Sequence, residues 1–132
     1  MKKILVTRKL LDSNEEKLKK LYDVKLNSND ELYSQKKLIE MSQGCDGILC
    51  ALTDKLDKET INLLPDSVKI LSNFAVGFGN IDLEAAKKRN IIVTNTPEVL
   101  TDATAEIGIL LILGACRRAS EGIEGARAGD WK

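Results

Sequence analysis

The 132-residue chain is 43% hydrophobic and 30% charged, with twenty basic and twenty acidic side chains and no histidine. That length suits one compact core burying roughly two thirds of its unfolded surface, and the zero net charge excludes the basic excess of a nucleic-acid binder. Without histidine the chain can build no Ser–His or Cys–His nucleophile, imidazole base or histidine-bearing metal site.

Cys45, Cys50 and Cys116 form no CxxC pair. Free thiols in a reducing cytoplasm are therefore expected, not a disulfide frame or a zinc site. The opening MKKILVTRKLLD has too short an apolar run for a signal peptide. The longest apolar stretch, Ile107 to Cys116, is about half of a membrane span.

In chain order, Lys3–Thr7 reads as a buried strand. Ser13 and Glu16 read as a capping box opening a helix to about Leu21, with Leu18 and Leu21 inward. Tyr22–Leu26 is a second strand. Ser28 and Glu31 repeat the capping box for a helix to about Ser42 carrying Leu32, Leu38, Ile39 and Met41. Gly47–Leu52 is a third strand. Asp57 caps a short helix with Ile61, Leu63 and Leu64 inside, stopped by Pro65. Val68–Ala75 is a fourth strand, Asp82 caps a helix through Lys88, and Ile91–Thr94 is a fifth strand.

Regular strand–helix alternation with apolar strands predicts a parallel sheet with helices on both faces. Five units in about a hundred residues match a flavodoxin-like, doubly wound α/β domain over residues 1–100, with its ligand site at the carboxyl ends of the strands. Residues 101–132 differ. Thr101–Arg118 reads as one long helix, apolar on every side from Ile107 to Cys116, and such a helix needs covering by protein. Gly108 and Gly114 suit a close backbone neighbour there. The chain then turns polar and ends at Trp131-Lys132, which suggests a longer protein.

The segment Asn73–Asp82 (NFAVGFGNID) joins the fourth strand to a helix. Gly77 and Gly79 give half of a GxGxxG dinucleotide fingerprint, but Asp82 occupies its third position and no acidic residue follows at the expected distance. What survives is a glycine-rich turn whose N–H groups can hold a small anion such as a carboxylate, or which is merely a turn. A phospho-receiver site is excluded, because Thr7-Arg8 and Cys50-Ala51-Leu52 stand where its acidic residues belong. A flavin site is excluded because TRKLLDSN lacks a glycine-rich phosphate loop. Thr101 or Asp102 can cap the long helix, and Thr104 lies in its first turn.

The run NFAVGFGNIDLEAAKKRNIIVTNTPEVLTDATAEIGILLILGACRR resembles the D-isomer-specific 2-hydroxyacid dehydrogenases, and among them the glyoxylate/hydroxypyruvate reductase branch. The N-[FY]-A-V-G turn and the V-T-N-T-P…L-T-x-A-T-A-[ED] helix start carry the likeness, which is strongest over residues 70–118. It implies the N-terminal, substrate-binding portion of an NAD- or NADP-dependent enzyme reducing 2-keto acids. Val76 and Gly77 would present N–H groups to the substrate carboxylate, Leu52 would wall the pocket, and Leu100 and Thr104 would lie near the nicotinamide. The Thr101–Arg118 helix would cross into a Rossmann domain and join two subunits. The family's catalytic Arg, Glu and His match no position here, so no catalytic residue is assigned and the isolated chain is expected to be inactive. The alternative is a short non-catalytic module that binds carboxylates or dimerises.

Overall fold

A computed structural model describes residues Met1–Asp130; Trp131 and Lys132, where the sequence suggested continuation, lie outside the described residues. Two compact units are present, Met1–Pro97 and Glu98–Lys132. In the first, five strands alternate with four helices: β1 (Lys3–Val6), α1 (Asp12–Leu21), β2 (Asp23–Lys25), α2 (Gln35–Met41), β3 (Gly47–Ala51), α3 (Lys58–Leu63), β4 (Ile70–Phe74), α4 (Leu83–Lys88) and β5 (Ile92–Thr94). All strands pair in parallel in the order β2-β1-β3-β4-β5. This is the doubly wound α/β sheet expected from the alternation.

Side-chain alternation along each strand sorts the sheet's faces. Leu5, Ile48, Cys50 and Leu71 join Leu38 of α2, Ile61 of α3 and Ala85 and Ala86 of α4 in one continuous core. Each large aliphatic side chain buried there contributes about 1.5–3 kcal/mol of transfer free energy. The other face carries Ile4, Leu49 and Ile70 beside Leu18 of α1. Along β4 and β5 that face is open, with Phe74 and Ile92 exposed.

Two helix starts follow the sequence expectation. The Asp57 carboxylate accepts from the Thr60 N–H at 3.0 Å, and that of Asp82 accepts from Ala85 at 2.8 Å. Arg89, at the carboxyl end of α4, donates to the Ile61 and Leu64 carbonyls at 2.6 Å each, pairing the last turn of α3.

Two starts differ. α1 has Leu11 as its N-cap, with no side-chain cap. Glu15, not Glu16, turns inward and accepts from the Leu10 N–H. α2 begins only at Gln35, capped by the Ser34 hydroxyl. Residues 27–31 form a loop instead of a helix because Asn27 donates to the Thr7 and Glu31 carbonyls and accepts from the Glu31 N–H. Leu21, Leu32 and Leu63, expected inside, are exposed.

The second unit holds α5 (Thr101–Cys116) and α6 (Ala119–Ala128). α6 was not anticipated: Arg118, at φ 52°, breaks the long helix in a left-handed turn and a second helix follows. Thr101 and Asp102 do not cap α5; Leu100 is its N-cap, with no side-chain bond. Within α5, Ile107, Ile109, Leu110, Leu111, Ile112 and Leu113 are all exposed. A Cβ on Gly108 would meet nothing within 4 Å, and one on Gly114 would meet only Ala119, so no backbone crowds either glycine in this chain.

Candidate functional site

In an open parallel sheet the strands' carboxyl ends leave a crevice into which loops turn. Here the edge is formed by Thr7-Arg8 after β1, Leu52–Asp54 after β3, Ala75–Asn80 after β4 and Asn95-Thr96 after β5. Ala51 pairs with Phe74 in the β3–β4 ladder, so the turns carrying Leu52 and Val76-Gly77 leave the sheet side by side. Leu52 is 61% exposed, Val76 is half-buried and Gly77 is exposed.

The β3 turn is pinned from beneath. Asp54, 2% exposed, accepts from the Thr7 hydroxyl and from the Ala51 N–H at 2.8 Å. Arg8 makes a two-pronged contact with Asp30 and donates to the Thr53 hydroxyl at 3.0 Å. The Arg8 guanidinium, then the Lys9 N–H, hold the Asp30 carboxyl well below the usual carboxylate range. Cys50 lies under this edge with its thiol pushed up to about 12 by burial. It is therefore a neutral core group, not a nucleophile.

The β4 turn is held by three asparagines. Asn73, 1% exposed, donates to the Gly77 carbonyl at 2.9 Å and to Asn80 Oδ1 at 3.0 Å. Asn80 donates to the carbonyls of Ala51 at 3.1 Å and Asp54 at 3.2 Å. Asn95 donates to the Val76 carbonyl at 2.7 Å. With those carbonyls engaged, the N–H groups of Val76 and Gly77 have no acceptor among the described residues. Gly77 is not in the left-handed region, and a Cβ there would meet nothing within 4 Å. Nothing among the described residues crowds a side chain at that position.

Leu52, Val76 and Gly77 thus share one edge of the first unit. Leu100 and Thr104 lie in the second unit, one helical turn apart, with the Thr104 N–H donating to the Leu100 carbonyl at 2.9 Å; both are exposed. The asparagine frame was not singled out from the sequence. Its signal was present as two polar residues seven apart at the start and end of a glycine-rich turn.

The family model for the D-isomer specific 2-hydroxyacid dehydrogenase catalytic domain matches residues 4–124. The glyoxylate reductase of Thermococcus litoralis is 38% identical over 130 residues, covering 98% of this chain and 39% of that protein. The glycerate dehydrogenase of Hyphomicrobium methylovorum is 39% identical over 130 residues, covering 98% of this chain and 40% of that protein. The solved NADPH-dependent glyoxylate/hydroxypyruvate reductase of Sinorhizobium meliloti, in complex with NADP and malonate, superposes with a TM-score of 0.78 at 28% identity, covering 98% of this chain and 39% of that one. The chain thus spans about two fifths of the length of the relatives it matches. On a family match over nearly its whole length, the chain belongs to the D-isomer specific 2-hydroxyacid dehydrogenases.

Proposed function

We propose that this chain supplies the substrate-binding half of an NAD- or NADP-dependent oxidoreductase that reduces glyoxylate- or hydroxypyruvate-like 2-keto acids. The observation that carries the reading is the pair of unengaged N–H groups at Val76 and Gly77 beside the exposed Leu52. Two adjacent N–H donors match the two oxygens of a carboxylate, and a leucine wall suits a short carbon chain. Relatives named glyoxylate reductase and a relative's structure holding a dicarboxylate support the same ligand class.

The nicotinamide cofactor, when bound, supplies the hydride. Leu100 and Thr104, both exposed at the start of α5, would give it an apolar flank and a hydroxyl. The sequence has no complete glycine-rich pyrophosphate loop, so the rest of the cofactor needs residues beyond these. Val76, Gly77 and Leu52 bind and orient the keto acid. No histidine of this chain can supply the proton that joins the reduced carbonyl.

A second copy joined along Thr101–Arg118 completes the reading, since α5 presents apolar side chains all round. The free cysteines, with Cys45 and Cys50 buried, suit work in the reducing cytoplasm. No helix among the described residues is long and apolar enough to cross a membrane.

The purified 132-residue chain should show no NADH- or NADPH-dependent glyoxylate reduction, while the keto-acid analogue oxamate should shift the Val76 and Gly77 amide resonances. Turnover by the pure chain would overturn the half-enzyme reading. Oxamate shifts confined to other residues would overturn the site.

A further inference from the structure

We propose that Asn80, paired with Asn73, is a positioning residue that fixes the Leu52 turn against the Val76-Gly77 turn and so sets which carboxylates this edge accepts. The inference rests on the carboxylate-site reading above. The Asn80 amide nitrogen donates to the Ala51 and Asp54 carbonyls, which bracket Leu52, and at the longer distance of 3.4 Å it also reaches the Asn73 oxygen. Its oxygen takes one hydrogen of Asn73, and the other Asn73 hydrogen reaches the Gly77 carbonyl. One hydrogen-bonded chain therefore runs from the Leu52 turn through both amides to Gly77.

Among the described residues no other side chain hydrogen-bonds to both turns. The Leu56 N–H donates to the Asn80 carbonyl and the Asp82 N–H to the Leu56 carbonyl, each at 2.9 Å, so the Asn80 backbone is anchored and its side chain reaches back to Ala51 and Asp54. Burying a primary amide as completely as Asn73 costs free energy unless its donors and acceptor are matched. Here the Cys50 thiol, at 3.5 Å, also meets the Asn73 oxygen. An apolar side chain would fill this space at lower cost but would cut the link.

Asn95 holds Val76 independently from the β5 side. Asp54 still ties the Leu52 turn to its own strand, so removing the Asn80 amide loosens only the spacing of that turn from the Val76-Gly77 turn and leaves the N–H pair aimed. That asymmetry yields a split that general loosening would not produce. A ligand that needs only the N–H pair keeps its affinity, and one that must also fit against Leu52 loses it.

The test follows the Val76 and Gly77 amide signals of the ¹⁵N-labelled chain during titration with formate and with oxamate. Asn80→Ala should weaken oxamate about tenfold, the range expected for loss of one well-placed pocket wall, and leave formate within about twofold. Asn80→Leu, close in size but without hydrogens to donate and without a charge, should do the same, and the Leu5 and Ile48 signals report whether each variant stays folded. Equal effects on both ligands, or none on either, overturn the positioning role, as does loss of the fold in both variants. If neither ligand moves Val76 or Gly77 in the unsubstituted chain, the site reading itself falls and takes this role with it.

Discussion

Gly47 and Gly77 are glycines for opposite reasons. At Gly47, in the centre of the sheet, a Cβ would lie 2.7 Å from Ile70 Cγ2 and 3.2 Å from Ile4 Cδ1. Ile70 is β-branched and cannot swing aside without leaving its rotamer. Gly47→Val should therefore cost about 1–3 kcal/mol through overpacking and lower the melting temperature by several degrees in a calorimetric scan. Gly77→Ala, with open space around it, should leave that temperature no lower and raise it by up to a few degrees, because removing a glycine outside the left-handed region carries no strain and narrows the unfolded ensemble. A Gly47 variant melting like the parent would show that β1 and β4 can part more easily than the ladder suggests. From the sequence both residues are simply glycines near strand ends. The difference lies in neighbours twenty or more residues away.

Helix starts show where local pattern suffices and where it fails. Asp57 and Asp82 cap α3 and α4 as the i to i+3 spacing predicts; Gln35 of α2 also donates to the Asp57 carboxylate at 2.9 Å without displacing the cap. The Ser13–Glu16 and Ser28–Glu31 pairs have the same look, yet neither opens a helix. Glu15 is drawn to the Leu10 N–H, and Asp30 is fixed at φ 53° by Arg8 from the end of β1. Those partners are set by the sheet's topology, which no short window contains. At Asp57 the Thr60 N–H, then the Thr60 hydroxyl, hold the carboxyl well below its ordinary range. A carboxyl lowered by folding adds stability that is fully present above the unfolded value of about 4 and is lost as pH falls through the folded one. Asp57→Asn keeps a capping oxygen but does not titrate. Urea midpoints measured from pH 6 down to pH 2.5 should therefore fall less steeply in the variant than in the parent. Parallel slopes would show that the cap contributes nothing to acid unfolding.

Across the whole chain, the α/β alternation could be read directly, because parallel strands leave near-continuous apolar runs, and the fold in turn fixes which loops meet at the carboxyl edge. α6 could not, since the break rests on Arg118 adopting a left-handed conformation that its residue type does not announce. α5, with Leu111 66% exposed, is where two copies should join. Light scattering should give twice the chain mass, and Leu111→Glu should return it to one, because a charge buried in an apolar seam is strongly disfavoured. A monomer before substitution would assign that helix to some other cover. The strand order carries a further consequence, in the timing of synthesis. β1 is made first yet lies inside the sheet, with β2 on one side and β3 on the other. Leu5, fully buried in the finished fold, cannot gain its second strand neighbour until the ribosome has released Gly47–Ala51, and Val6, buried beside it, pairs with β3 alone. The nascent chain must carry this apolar strand half-paired through that interval, so early chaperone capture would fall on Lys3–Val6.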